Sequence, residues 1–299
     1  MSVINDLSTD QRVHKHCTLL GQKGFDVLLI GRTTSSSAPL AERAYRTHRM
    51  RLPFETGPLF YACFNISLFF HLLLRRSDLL FSNDLDTLLP NFLVSRLQQK
   101  KLIYDSHEYF TEVPELVNRP RVQSIWKSIE DRILPKLKVA LTVNHSIAQL
   151  YSDKYGIKMH VLRNIPQRKT SISVRTKAEL GLPENVPLLI LQGSGINIDR
   201  GAEELMQAMQ FVPDATLLIL GSGDVVEDLK RSAKELGLES RVLFKGRMPY
   251  DEMMSHTRLA DIGLTLDKDT NVNYRFSLPN KLFDYIHAEC LFLVQIWWR

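Results

Sequence analysis

The stretch PLLILQGSGINIDRGAEELMQAMQFVPDATLLILGSGD, residues 187–224, decides the fold. The apolar run Leu188–Leu191 reads as a buried strand. It leads into a glycine loop, Gly193-Ser194-Gly195, and a polar run closing on Asp199-Arg200-Gly201. A helix is predicted over Ala202–Met209, and a second apolar strand, Thr216–Leu220, closes on Gly221-Ser222-Gly223. Strand, loop, helix, strand is the unit of a parallel α/β sheet. Glycines let backbone N–H groups approach an anion closely. A helix N-terminus adds partial positive charge, and Arg200 adds a full one. The stretch therefore reads as a cradle for a diphosphate.

The same alternation runs outward in both directions. Towards the N-terminus, strands are predicted at Val3–Ile4, Phe25–Ile30, Asp78–Ser82, Lys101–Tyr104 and Ala140–Val143. Helices are predicted at Gln11–Gln22, near 59–74, at Leu88–Gln99, near 121–134 and at Ser146–Tyr155. Ser8, Thr9 and Asp10 offer N-cap oxygens to the first helix. No element is read in the arginine-rich segment 43–58, which closes at Gly57-Pro58, a break before the apolar helix. Towards the C-terminus, strands at Val242–Phe244 and Asp261–Leu266 alternate with helices at Val225–Leu236, Tyr250–Arg258 and from Lys281 onward. The stretch VLRNIP (161–166) followed by the polar, basic run 167–175 reads as the junction between two α/β domains, 1–165 and 166–299. In such sheets ligands sit beyond the carboxyl ends of the strands. That rule places Asn5-Asp6, Asn83-Asp84 and His107-Glu108 on one rim.

Composition narrows the class. The chain has 299 residues, 44% hydrophobic and 24% charged, which is globular. Its net charge of +5 is uneven: residues 1–165 carry 22 Lys and Arg against 15 Asp and Glu, the remainder 16 against 18. A basic first half points to an anionic partner, such as a membrane surface or a phosphorylated acceptor, or simply to solvated side chains. It lacks the interleaved aromatic stripe of a nucleic-acid binder, so no nucleic-acid partner is expected. Three widely spaced cysteines, Cys17, Cys63 and Cys290, argue for a reducing compartment and against a disulfide framework or a zinc site. No secretory leader is read at the start, and a cytoplasmic location is expected. The most apolar run, LFYACFNISLFFHLLL at 59–74, is shorter than the roughly 20 residues of a spanning helix. It reads as a core helix, with a helix lying on an anionic bilayer face as the alternative. That alternative would put the protein in peripheral contact with the inner membrane face.

Five segments in the second half carry a family resemblance: Arg200-Gly201, LLILGSGD (217–224), RVLFKGRMP (241–249), LADIGLTL (259–266) and LPNKLFDYIHA (278–288). In order and spacing they resemble the nucleotide-sugar-binding domain of the family-4 glycosyltransferases, whose GT-B fold is two Rossmann-like domains facing a cleft. The first half resembles the same family more loosely at NDLSTDQRVHK (5–15), YDSHEYF (104–110) and VNHSIAQLYSDKYG (143–156). The resemblance implies a transferase that moves a sugar from a nucleoside diphosphate to a glycan or lipid-linked acceptor. It implies retention of anomeric configuration, no metal for the chemistry and no cofactor beyond the donor itself.

Residue by residue, the resemblance places Gly195, Arg200 and Gly201 at the diphosphate, with Asn280 and Lys281 opening a later helix that supplies a second cation. Asp284 matches the acid that contacts the donor ribose. The family has glutamate there and another acid eight residues earlier, where this chain has Phe276. Gly246 and Arg247 match the loop that reads the base, and His107 the histidine beside the reacting sugar. Asp10, Arg12 and Glu108 fall on the acceptor side, although helix capping is the competing role for Asp10. Asp84-Leu85-Asp86 and Asp267-Lys268-Asp269 imitate a metal-binding DxD and are read as non-metal. After YIHA the family continues with a glycine turn and a strand, whereas this chain has Glu289 and ECLFLVQIWWR. That departure is read as an incomplete second domain, with Trp297-Trp298 exposed. A catalytically inactive relic that binds only nucleotide or a partner is the alternative function.

Overall fold

The computed structural model describes residues 1–8, 10–166, 175–193 and 195–295. Thr9, Ser194, Trp297, Trp298 and the junction 167–174, all read from the sequence above, lie outside the described residues. Two compact units divide the chain, Met1–Asn164 and Ile165–Arg299.

The first unit is an α/β unit in the order β1 (Ser2–Asp6), α1 (Gln11–Gln22), β2 (Leu28–Thr33), β3 (Arg46–Arg51), α2 (Gly57–Leu73), β4 (Leu79–Asn83) and α3 (Leu85–Leu97). It continues through β5 (Lys101–Ser106), α4 (Pro114–Val117), α5 (Pro120–Ile133), β6 (Val139–Thr142), α6 (His145–Tyr155) and β7 (Met159–Val161). Its seven strands pair in parallel in the order β3-β2-β1-β4-β5-β6-β7. Successive strand residues point to opposite faces, and β2 shows the consequence. Leu29 joins Val13 and Cys17 of α1 on one face, and Ile30 joins Phe60, Phe64 and Leu68 of α2 on the other. Both faces are therefore covered, as parallel sheets require. Removing a fully buried ring such as Phe64 costs on the order of 3–5 kcal/mol.

Strand order reverses direction between β1 and β4, which pair at Ser2 and Ser82. A buried polar network fills the junction: Asn83 Nδ2 donates to the Ser2 carbonyl at 2.9 Å, and Asn91 Nδ2 to Ser2 Oγ at 2.6 Å.

Two strands of this unit were not legible in the sequence. The arginine-rich segment 43–58, in which no element was read, contains β3. An edge strand needs few buried positions; Met50 supplies one, while Arg46 pairs with Asp26 and Arg49 with Asp6. Charge on an open edge discourages further strand pairing. Strand β7 is three residues long and hides beside the polar junction.

The second unit runs β8 (Leu188–Gly193), α7 (Ala202–Ala208), β9 (Thr216–Gly221), α8 (Val226–Glu235), β10 (Val242–Lys245) and α9 (Tyr250–Thr257). It closes with β11 (Ile262–Thr265), α10 (Val272–Phe276), α11 (Asn280–Ala288) and β12 (Leu291–Val294). The parallel order is β10-β9-β8-β11-β12, reversing between β8 and β11. Leu191, Leu217 and Ile219 pack under α7 and α8, and Ile190, Leu218 and Leu220 under α9 and α11. The departure at the C-terminus is smaller than the sequence implies. Glu289 takes the left-handed conformation, φ 60° and ψ 25°, that a glycine would take, and Leu291–Val294 pairs in register with Ile262–Thr265. All three cysteines are free.

Candidate functional site

In the first unit, three strand-end segments converge on one carboxylate. Asp105, at the carboxyl end of β5, is fully buried. Arg12 of α1 grips it as a fork, Nη2 to Oδ1 at 2.7 Å and Nε to Oδ2 at 3.1 Å. His16, one turn on, places Nδ1 3.6 Å from Oδ2, and His107 places Nε2 3.4 Å from the same oxygen. The other face of His107 meets Asp84, just beyond β4. Its Nδ1 lies 2.8 Å from Asp84 Oδ2, and its main-chain N–H donates to Asp84 Oδ1 at 2.8 Å.

Asp84 holds φ 59° and ψ 166°, a region that glycine occupies almost alone. Its own N–H donates to the Asp105 carbonyl at 2.9 Å.

The charges follow from this packing. Burial works against a charged His107, but Asp84 first and then Asp105 outweigh it and raise its pKa to about 10. The ring is an imidazolium at neutral pH: it donates hydrogen bonds and does not accept protons. Burial also opposes ionisation of Asp105, yet the hydrogen bonds and charges of His107 and Arg12 hold it well below the usual carboxylate range. His16 is pushed down to about 4, by burial first, with Asp105 opposing and Arg12 adding to the fall. Burial and then the Asp84 charge push Asp86 well above its ordinary value. This arrangement is a fixed cation held between two carboxylates, Nδ1 toward Asp84 and Nε2 toward Asp105.

Two residues assigned to the acceptor side have partners inside this unit, one of them the capping role weighed for Asp10. Arg12 is buried, with its guanidinium on Asp105. Asp10 caps α1, accepting from the Val13 N–H at 2.9 Å and from Asn5 at 3.0 Å. Glu108 is half-buried next to His107.

In the second unit the cations gather at the sheet's reversal point, where ligands bind in open α/β sheets. Arg200 Nη1 lies 3.4 Å from Asp267 Oδ1, beyond the end of β11, and its guanidinium sits 4.9 Å over the Tyr274 ring. Lys281, in the first turn of α11, feels the same pair. Burial lowers its pKa first, Asp267 raises it and Arg200 lowers it. Asp269 accepts from Arg275 Nε at 2.6 Å, so both carboxylates of this DxD-like triplet face arginines. Among the described residues, no three His, Cys, Asp or Glu side chains cluster as metal ligands would.

Glycines shape the surrounding backbone. Gly201 opens α7 at φ 75°, where a Cβ would strike the Leu266 carbonyl at 2.4 Å. A Cβ at Gly221 would lie 1.8 Å from the Gly193 oxygen, and one at Gly223 2.0 Å from the Ile196 oxygen. The two strand-end turns thus touch backbone to backbone. Gly195 makes no such demand; a Cβ there meets only ordinary contacts. A cavity of about 260 Å³ opens beside these turns, lined by Gly221, Gly223, Glu227, Lys230, Phe244 and Gly246 among others. Asp284 is buried; its carboxylate accepts from Tyr250 at 2.8 Å and from Gln192 at 3.3 Å. Asn280 is exposed at the start of α11.

The sequence profile of Glycosyltransferase Family 4 matches residues 10–166, more than half of the chain. The chain belongs to Glycosyltransferase Family 4. A second profile, glycosyl transferases group 1, matches residues 175–266 of this family-4 protein. Among curated proteins it is similar to a GDP-mannose-dependent alpha-(1-6)-phosphatidylinositol monomannoside mannosyltransferase of Mycolicibacterium smegmatis, 34% identical over 67 residues, 21% of this chain and 18% of that one. A GDP-mannose-dependent monoacylated alpha-(1-6)-phosphatidylinositol monomannoside mannosyltransferase of Corynebacterium glutamicum is 34% identical over 91 residues, 29% of this chain and 23% of the relative. The matches thus span less than a quarter of those relatives' length. Among solved structures, sucrose-phosphate synthase from Thermosynechococcus elongatus superposes with a TM-score of 0.67 at 17% identity, covering 88% of this chain and 72% of that one. Anabaena HepE in complex with UDP and glucose gives 0.61 at 18% identity, covering 88% and 73%. These likenesses establish the two-domain GT-B fold class read from the sequence.

Sequence reasoning named His107, Arg200 and Lys281 but passed over the carboxylates that set them. Asp84 was placed on the ligand rim without a partner, Asp267 was visible only within a look-alike of a metal motif, and Asp105 only within YDSHEYF (104–110). Each stands at or just beyond the carboxyl end of a strand, and a carboxylate in that place was the available signal.

Proposed function

We propose that the protein transfers a sugar from a nucleoside diphosphate to a glycan or lipid-linked acceptor. The observation that carries this reading is the pair of cations, Arg200 and Lys281, set about Asp267 beside glycine turns in a family-4 chain. As the sugar leaves, negative charge grows on the diphosphate. Fixed cations and helix N–H groups stabilise that charge without reorganising. Asp267 holds Arg200 in place until a diphosphate competes for it. The role proposed for Gly246 at the base is supported by the cavity it lines, and Arg247, the next residue, is proposed to share that role. Asp284 is proposed to meet the donor ribose with its Tyr250 and Gln192 partners holding the carboxylate in place.

His107, an imidazolium, donates to oxygens of the transferred sugar, and Glu108 stands on the acceptor side. Retention of configuration, chemistry without a metal, no cofactor, and a cytoplasmic site of action complete the reading.

A transfer assay tests it. The full chain is incubated with GDP-mannose and a panel of UDP-sugars, chosen from the names of the relatives, and nucleoside diphosphate release is followed with lipid-linked and glycan acceptors. Acceptor-dependent release from at least one donor is the expected result. Tight nucleotide binding with no release from any donor would favour the inactive, binding-only reading.

A further inference from the structure

We infer that the outward face of α2, with the basic rim at its carboxyl end, docks on an anionic lipid surface. Residues 57–74 contain no Asp, Glu, Lys or Arg. One side of the helix is accounted for: Phe60, Phe64, Leu68 and Leu72 are buried against the sheet. The opposite side is not polar. Leu59, Ile66, Phe70 and Leu74 are 59%, 60%, 52% and 80% exposed, and their spacing of seven, four and four residues puts them on one stripe. A surface helix normally turns charged residues outward, so an apolar outer stripe this long marks an interaction surface. Asn65, on the flank of the helix, turns its amide back to the Tyr61 carbonyl at 2.9 Å.

The rim supplies the sign of the partner. Arg75 and Arg76 follow the helix directly. The end of α3 lies alongside, because Gln98 Nε2 donates to the Leu73 carbonyl at 2.8 Å. That end exposes Leu97 at 66% and carries Arg96, with Lys100 and Lys101 just beyond. Lys101 is level with Leu79 across β4 and β5, so these cations share the amino-end edge of the sheet with the two arginines. Asp78 is the acid there; Asp84 and Asp86 lie at the opposite ends of the strands. An apolar stripe flanked by cations is the pattern of a helix that lies in a bilayer interface among anionic headgroups. No helix among the described residues is long and apolar enough to cross a membrane, and the inward half of α2 is committed to the core. The helix therefore lies on the surface and does not span it. The inference is independent of the donor chemistry proposed above.

Vesicle co-sedimentation of the full chain tests it. The lipids are phosphatidylcholine alone and phosphatidylcholine mixed with phosphatidylglycerol. The variants are I66S/F70S, which removes stripe and not core, and R75E/R76E, which inverts the rim. Binding to the anionic vesicles about tenfold above the neutral ones is expected, weakening as salt rises. Either variant should lower it about tenfold with an unchanged melting temperature and unchanged nucleotide binding. Equal binding to both lipids, or wild-type binding by both variants, would overturn the inference. So would a stripe variant that dissolves an oligomer of the chain while leaving vesicle binding intact, since the face would then be a protein contact.

Discussion

Asp84 holds His107 by two contacts at once: one carboxylate oxygen takes the main-chain N–H of His107, and the other lies 2.8 Å from its Nδ1. It does so from a backbone conformation costing about 1–3 kcal/mol for a non-glycine residue. Strain of that size persists where the carboxylate is needed in one place. Asp84→Gly keeps the backbone without strain and removes only the carboxylate. The His107 pKa should then fall from about 10 towards the ordinary histidine range. Titration of the His107 ring resonances by NMR checks this. A ring still charged well above neutral pH in Asp84→Gly would assign the shift to Asp105 alone.

The second histidine on Asp105 works with the opposite sign. The folded-state pKa of His16 is about 4, below the unfolded value, so the unfolded chain binds the extra proton between about pH 6.5 and 4. Stability linked to His16 is present above that window and falls as pH drops through it. The folded pKa of His107 is raised, so its contribution is full below about pH 6.5 and fades as pH climbs towards 10. Urea midpoints of His16→Gln should therefore lose less than wild type between neutral and mildly acidic pH. A wild-type acid slope in the variant would remove His16 from the account.

The glycines in the second unit separate into shape and open space. Gly221→Ala forces a methyl against the Gly193 carbonyl in a region of φ, 128°, closed to alanine. A loss of several kcal/mol is expected, on the order of a severe core defect. Gly246→Ala meets nothing within 4 Å, and its stability should stay within about 0.5 kcal/mol of wild type. Paired denaturation curves check the contrast, and equal midpoints would contradict the backbone contact between the two turns.

Glu289 holds a left-handed conformation at the end of α11. Glu289→Gly exchanges a cost of about 1–2 kcal/mol for an L side chain there against about 0.5–1 kcal/mol of glycine entropy. A small rise in melting temperature is expected, where an exposed glycine substitution would ordinarily lower it.

What the sequence disclosed follows from what periodicity records. Strands such as Leu188–Gly193 are buried on both faces and read as continuous apolar runs. Strand β3 has one deeply buried side chain and four arginine or histidine residues, so no pattern marks it. At the sites, residue type revealed the cations. It did not reveal that Arg12 turns inward to Asp105, that Asp84 adopts a glycine's backbone, or that Asp267 lies against Arg200. Those facts depend on which strand ends the topology brings side by side, and spacing along the chain does not encode that.

The central claim is that Arg200 and Lys281 receive a diphosphate. Calorimetric titration of the full chain with GDP and UDP, repeated on Arg200→Ala and Lys281→Ala, tests it most directly. A charge-assisted contact of about 1.5–3 kcal/mol predicts that each variant weakens the nucleotide that binds by roughly tenfold to a hundredfold. Unchanged affinity in both variants, with the fold intact, would contradict it.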